Sequence, residues 1–478
     1  MKINKQYIWL LCISVFVLAC SKNDKLEPNS GLSENETKEL TIFHINDQHG
    51  RLKNFAKIKH IIDKEKEQTN VLFVCAGDVF SGNPVVDNHD EKGYPMIDLM
   101  NMVGVDVSVI GNHEYDYGES ILNDRIAQSQ FIWICANVDM TNSIISQPPA
   151  YTTVSIDGLK ISFLGLVETF GSDSEIIPST HPWRVENLNF TNYQEVITNY
   201  ADLKNTENAD LLIALTHLGH SSDGDIANSY PYFDLIIGGH SHSISNRVVN
   251  DTPLLRGGSN LDYLGKIKLT IKDKDIESMQ YELINLNAYT DSDDDIESII
   301  DAYNISADLD EVIGFSEAFH SIAEVGFFYT DALQTEMNVD LTFQNTGGIR
   351  NTLDAGDITK REIYTIDPFN NGSVSYDMTV GNIKTFLRET NQGVYYSGMT
   401  IERDGNAIEI RDSQNQLLND NTTITIGLND YIPAVYSTYF TQTPTNLPYT
   451  TAEAIISFLE NSQTPVNYTL YTNFFQYQ

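Results

Sequence analysis

The chain has 478 residues, enough for two or three domains at roughly 150 residues each. It is 41% hydrophobic and 10% aromatic, so it buries real cores and is neither collagenous nor mainly disordered. Lys plus Arg is 29 against 66 for Asp plus Glu. The net charge of -37 repels phosphate backbones, which excludes non-specific nucleic-acid binding and obliges any anionic substrate to find a local positive charge such as a metal ion.

Residues 1–19 open with Lys2 and Lys5 and continue in an apolar run from Tyr7 to Ala19. These are the n-region and h-region of a signal peptide. The run falls short of the roughly 20 residues of a membrane-spanning helix. It ends Val17-Leu18-Ala19-Cys20, which resembles a bacterial lipobox. The plainer alternatives are an ordinary cleaved signal with an accidental cysteine, or a marginal anchor. Residues 20–38 are almost free of apolar side chains and read as a flexible tether, which favours a lipid on Cys20. The expected place is the bacterial envelope, as an exported outer-membrane lipoprotein on the periplasmic face or the cell surface. Of the four cysteines, Cys12 and Cys20 belong to this leader. Cys75 and Cys135 lie in apolar runs and read as small buried hydrophobes rather than a disulfide framework.

Short apolar runs then alternate with helical patterns. Leu40–Ile45, Val71–Cys75, Val107–Ile110, Phe131–Ala136, Ile161–Val167, Leu211–Leu215 and Leu235–Ile237 read as strands. Phe55–Glu67, Pro95–Met102 and Tyr193–Thr206 read as helices. Continuous apolar strands separated by helices imply sheets covered on both faces, with functional residues on the loops after strand ends. The acidic run Asp291–Asp295 precedes a helical pattern from Ile296 to Tyr303. It lacks the glycine and spacing of a calcium loop and reads as a charge-complemented helix start. The expected layout is a catalytic domain at 39–275, a linker helix region at 276–305 and a second domain at 306–478.

Chemistry-bearing residues cluster at the strand ends. Asp47-Gln48-His49 closes the first strand, Gly77-Asp78 the second and Gly111-Asn112-His113-Glu114 the third. Thr216-His217 and Gly239-His240-Ser241-His242 close two later strands. Taken singly, each is an ordinary turn or a satisfied histidine. Together they supply carboxylate, amide and imidazole donors suited to a pair of divalent transition ions.

These five blocks resemble those of the calcineurin-like metallophosphoesterases. The run Gly111 to Gly118 is similar to the variant found in 5′-nucleotidases and UDP-sugar hydrolases. Asn345-Thr346-Gly347-Gly348-Ile349-Arg350 resembles their C-terminal substrate-binding motif. The segments around Phe369 and Tyr431 resemble those that carry the two aromatics of the base clamp. The resemblance implies an α/β fold: a four-layer sandwich of two mixed sheets flanked by helices, plus a smaller α+β substrate-binding domain. It also implies two divalent ions, zinc, manganese or cobalt. One would be held by Asp47, His49, Asp78 and His242, the other by Asp78, Asn112, His217 and His240. His113 would be catalytic and oriented by Asp116, and Asn345, Arg350, Phe369 and Tyr431 would hold the substrate. Plainer readings remain beside these: His113 as a residue that moves no proton, Arg350 as a surface ion pair, the two aromatics as core.

Two dications lower the pKa of a shared water and, against Asp47 and Asp78, leave about +2 in the pocket. The expected activity is therefore a 5′-nucleotidase in which a metal-bridging hydroxide attacks a nucleoside monophosphate. The same chemistry on a UDP-sugar, a 2′,3′-cyclic nucleotide or a non-nucleotide ester is the alternative. A non-catalytic binding lipoprotein with a structural metal site is another. Two departures from the family's pattern bear on the pocket: the stretch His320–Gly326 holds no arginine, His320 being the nearest cation candidate, and no Gly-Gly-Asp-Gly turn follows Tyr431.

Overall fold

The computed structural model describes residues 37–305, 308–462, 464–471 and 473–478. The leader, Cys20 and most of the expected tether lie outside these residues. Among the described residues no helix is long and apolar enough to cross a membrane.

Alternation along the strands builds the first half. In Lys38–Ile45 and Val71–Cys75 both faces are apolar. Ile42, Leu72 and Val74 point to one side, where they meet Ile161, Phe163, Ile213 and Leu215 of a second sheet. Phe43, Ile45, Phe73 and Cys75 point to the other side, against Phe55, Ile58, Met96 and Leu99 of the helices Phe55–Lys66 and Tyr94–Val103. A strand apolar on both faces needs a cover on each, and that sets the layering. Each fully buried side chain of this kind contributes about 1.5–3 kcal/mol.

The first sheet runs Asp275–Asn285, Tyr263–Lys272, Lys38–Ile45, Val71–Cys75, Val107–Val109 and Ile132–Ile134, with the last four parallel. The second runs Ile244–Val249, Thr252–Gly257, Leu235–Gly238, Leu211–His217, Leu159–Val167 and Tyr151–Ile156. Its outer face, with Leu164, Leu212 and Ile236, packs on Tyr193, Ile197, Ile226 and Ala227. The result is the expected four-layer sandwich. Cys75 and Cys135 are free and buried.

Two readings are corrected. The expected linker helix region 276–305 is not helical at its start: Asp275–Asn285 is a strand that pairs antiparallel with Tyr263–Lys272 in the first sheet. The expected helix Tyr193–Thr206 is broken into Tyr193–Ile197, a 3-10 turn Thr198–Tyr200 and Leu203–Thr206. The acidic run behaves as a helix start. Asp293 caps Asp294–Asn304 by accepting from the Ile296 N–H at 2.9 Å, and Asp294, Asp295 and Glu297 occupy the first turn. Ile296 and Ile300 of this helix join the core of the first half.

The second half holds a six-stranded sheet in the order Thr445–Thr450, Gly372–Thr379, Thr423–Asn429, Leu341–Asn345, Val394–Ser397 and Phe474–Phe475. Helices Ile322–Met337 and Thr451–Asn461 share one core. Helix Val380–Thr390 shares another with Phe343, Tyr376 and Ile426. This is the expected smaller α+β unit. Its loops at Arg350, Phe369 and Tyr431 meet the ends of the first half's parallel strands.

Candidate active site

The candidate ligands leave the carboxyl ends of adjacent parallel strands and turn inward at once. Asp47, His49, Asp78, His240 and His242 all hold left-handed backbone, with φ of 53°, 49°, 58°, 75° and 53°. A residue with a side chain pays roughly 1–2 kcal/mol there, and such strain persists where its surroundings over-determine it. Crowding enforces the glycines between them. A Cβ on Gly239 would stand 2.5 Å from the Ala76 carbonyl oxygen and 2.8 Å from His217 Nδ1.

Two overlapping donor clusters result. One ligand atom each from Asp47, His49, Asp78 and His242 lies within 4.8 Å of the others, and Asp78, His217 and His240 form a second set on the same terms. Asp78 belongs to both. Asn112 stands beside the second set, with Oδ1 3.0 Å from His240 Nδ1. The chemistry of this donor set fits divalent ions. His217 Nδ1 donates to the Ala76 carbonyl at 2.7 Å, which leaves the Nε2 lone pair facing inward. That buried Nε2 has no hydrogen-bond partner, yet it lies 3.0 Å from Asp78 Oδ2. His49 Nε2 and His242 Nε2 stand 2.8 Å apart. A cation between such facing acceptors resolves both contacts.

Supporting hydrogen bonds come from residues that sequence reasoning did not single out. Asn46 Nδ2 donates to Asp47 Oδ2 at 2.6 Å while its own oxygen accepts from the Gly257 N–H at 2.9 Å. Glu114 is buried. Its carboxylate accepts from the N–H groups of Asp78 at 3.0 Å, Val79 at 2.6 Å and Gly111 at 2.5 Å, lacing two strand-end loops together. Glu114 sits inside the Gly111–Gly118 run, so a signal was present. Thr180, His181 and Arg184 lie on a long loop with no strand-end pattern and gave none.

His113 points into the same cleft. Its Nδ1 is 2.6 Å from Asp116 Oδ2, and Thr180 Oγ1 donates to Asp116 Oδ1 at 2.9 Å. The His113 N–H donates to Asp78 Oδ1 at 2.9 Å. Burial pulls the His113 pKa down, but the Asp116 and Asp78 carboxylates more than offset it and leave the ring more basic than usual. Burial would raise Asp116, and His113 outweighs it, holding the carboxyl at about 2.

The second half completes the cleft. A cavity of about 340 Å³ is lined by Asp78, Asn112, His113, Asp116, His240 and His242 from the first half and by Asn345, Arg350, Phe369 and Tyr431 from the second. Arg350 Nη2 is 3.1 Å from His49 Nε2, and its guanidinium lies 5.7 Å from the Phe369 ring centre. Phe369 stacks on His113 at 5.7 Å, and Tyr431 meets His181 edge-on at 5.3 Å. His320 is not on this cavity. It is buried, with Nδ1 3.2 Å from Ser316 Oγ and Nε2 accepting from the Tyr468 N–H at 2.8 Å, so it is a core residue and no substitute for an arginine. Tyr431 opens a short helix, Tyr431–Val435, whose last carbonyl accepts from the Asp173 N–H at 3.1 Å.

Comparison with known proteins agrees with this geometry. Residues 40–243 match the calcineurin-like phosphoesterases, and residues 312–438 match the 5′-nucleotidase C-terminal domain. The chain is 25% identical over 473 residues to protein UshA of Yersinia enterocolitica, covering 82% of this chain and 84% of that one. It is 26% identical over 408 residues to the trifunctional nucleotide phosphoesterase YfkN of Bacillus subtilis. That alignment covers 73% of this chain and spans only 27% of the relative. Among solved structures, a 5′-nucleotidase precursor from Thermus thermophilus superposes with a TM-score of 0.79 at 19% identity, covering 88% of this chain and 96% of that one.

Proposed function

We propose that this chain, which belongs to the calcineurin-like phosphoesterases carrying a 5′-nucleotidase C-terminal domain and is a metal-dependent phosphoesterase, hydrolyses nucleoside monophosphates. One observation carries the reading. A single cavity joins His113 and the donor clusters to Arg350, Phe369 and Tyr431 from the other half. A small structural metal site needs no such second wall.

Asp47, His49, Asp78 and His242 would hold one ion, and Asp78, Asn112, His217 and His240 the other. When bound, the pair supplies an acidified water and polarises the phosphoryl oxygens. The remaining work belongs to side chains. Asp116 fixes the His113 tautomer, so Nε2 faces the cleft and can stabilise or protonate the leaving oxygen. Arg350 offers a planar fork to phosphate or ribose oxygens. Phe369 and Tyr431 offer faces to a planar base, and Asn345 an amide at the rim. The alignment with a Vibrio parahaemolyticus 5′-nucleotidase supports a nucleotide substrate. Export through residues 1–19 and a lipid on Cys20 would place the activity on the envelope, where it releases phosphate and nucleoside outside the cell.

A second reading keeps the chemistry and changes the ester. Phe369 lies against His113 and Arg350 while Tyr431 lies against His181, so each clamp ring already has a partner. Phosphate release from AMP, UDP-glucose, 2′,3′-cyclic AMP and para-nitrophenyl phosphate, with manganese, cobalt or zinc, separates the two. Fast release from AMP, lost in His113→Ala, is expected. Release from the aryl ester alone would sink the nucleotide assignment and keep the hydrolase. No release with metal bound would return the protein to the binding lipoprotein.

A further inference from the structure

Arg184 stands at the seam between the two halves, behind the His113–Asp116 pair. It ends the 3-10 turn Pro182–Arg184 of the first half. Its Nη2 donates to the Phe369 carbonyl of the second half at 3.1 Å. Its Nη1 is buried without a hydrogen-bond partner and lies 3.6 Å from Asp116 Oδ1. The other Asp116 oxygen holds His113 Nδ1. One guanidinium therefore spans from the backbone beside a substrate-facing ring to the carboxylate that orients the candidate catalytic histidine.

The same loop makes other contacts across the seam. The Asp173 N–H donates to the Val435 carbonyl, Thr438 Oγ1 donates to Asp173 Oδ2 at 2.6 Å, and His181 Nε2 is 3.4 Å from Asp430 Oδ1. Of these residues Arg184 also reaches Asp116. A planar fork with one arm pinned transmits a small movement of its anchor to the other arm. At 3.6 Å the second arm is just beyond hydrogen-bond distance of Asp116, within a small adjustment of a charge-assisted bond.

We propose that Arg184 is a positioning residue for His113, acting through Asp116 and engaged by the seating of the second half. This rests on reading His113 and Asp116 as the catalytic pair. Besides His113 itself, Asp116 has only neutral hydroxyls as hydrogen-bond partners among the described residues, Thr180 and Ser81. The guanidinium adds a charged donor from a second direction and ties the carboxylate to the half that carries Arg350 and Phe369.

The test is steady-state hydrolysis of para-nitrophenyl phosphate by the full chain with manganese. This small ester depends on the phosphoesterase centre and not on base recognition, so failure of the nucleotide reading leaves the test intact. Arg184→Ala is expected to lower kcat by roughly 10–100-fold, as loss of a supporting hydrogen-bond partner does, with KM changed far less. Guanidinium chloride at non-denaturing concentration should restore part of kcat. Arg184→Met retains the apolar stem and should match Arg184→Ala if the charge is what matters. In an Asp116→Asn background Arg184→Ala should cost little more, because the group it acts through is already altered. A wild-type kcat in both Arg184 variants, or full additivity with Asp116→Asn, overturns the proposal. Wild-type kcat in His113→Ala and Asp116→Asn would instead overturn the catalytic pair, and the inference with it.

Discussion

Arg350 Nη2 and His49 Nε2 lie 3.1 Å apart, so a cation from the second half touches a candidate metal ligand of the first. A guanidinium cannot accept a hydrogen bond, so it competes with any ion for that nitrogen's lone pair. Its natural partner during turnover is the anionic group that the ions would hold.

Replacing it separates the two effects. In Arg350→Gln, cobalt binding followed by its visible spectrum should be as tight as in the native chain or tighter, because a repelling charge has gone. Inhibition by inorganic phosphate should weaken by about tenfold or more, the scale of a lost charge-assisted fork. Unchanged phosphate inhibition would remove Arg350 from the site.

His113→Ala should leave cobalt content intact and lower kcat by about 10²–10⁴, the usual worth of a placed acid or base. The ring's Nε2 is 4.0 Å from Asp78 Oδ2, near the clusters but outside both donor sets. Loss of metal together with activity, measured by elemental analysis, would show that His113 is a ligand instead.

Much of this was legible because parallel strands report their own ends. An apolar run followed by Gly-Asp, Gly-Asn-His or Gly-His-Ser-His fixes both the strand and the direction in which the loop must turn. The donor clusters around Asp78 could therefore be read from one sequence. Thr180, His181 and Arg184 could not, since a long loop carries no period, and its place depends on packing against a distant half. Residues Asp275–Asn285 misled for a related reason. That strand is largely exposed on one face and polar, so it lacks the continuous apolar run of its neighbours. His320 misled because sequence distance to a motif says nothing about burial, and its two nitrogens are spent on Ser316 and Tyr468.

Asp78 belongs to both donor sets and Asp47 to one, which makes their asparagine variants unequal. Asp47→Asn should retain about one ion per chain after dialysis, and Asp78→Asn markedly less, because the shared charge is what lets two dications sit close together. Hydrolysis should fall steeply in both. Equal metal content in the two variants would mean that Asp78 does not serve both sites. Gly239→Ala should behave like a ligand mutant although it removes no donor, since its Cβ would press on His217 Nδ1 and the Ala76 carbonyl that orients it.

His44 sits in the first strand directly opposite Gly265, and a Cβ on that glycine would collide with the imidazole. The ring is fully buried, with Nε2 3.2 Å from the Tyr281 hydroxyl. Burial lowers its pKa from 6.5 to about 4, with no nearby carboxylate to oppose it. Above pH 6.5 the ring is neutral in both the folded and unfolded states, and its protonation costs the fold nothing. As the pH falls from 6.5 towards 4, the unfolded chain takes up a proton that the folded chain refuses, so stability drops, by about 3 kcal/mol at the limit. In His44→Gln that contribution disappears. Urea unfolding of the metal-free protein at about pH 7, above that window, and at about pH 4.5, near its lower end, should show a smaller loss of stability in the variant than in the native chain. The comparison is between slopes, so it holds even if the variant is less stable at both pH values. Identical slopes would mean that His44 takes up its proton as readily in the folded chain as in the unfolded one, and that burial does not hold it neutral.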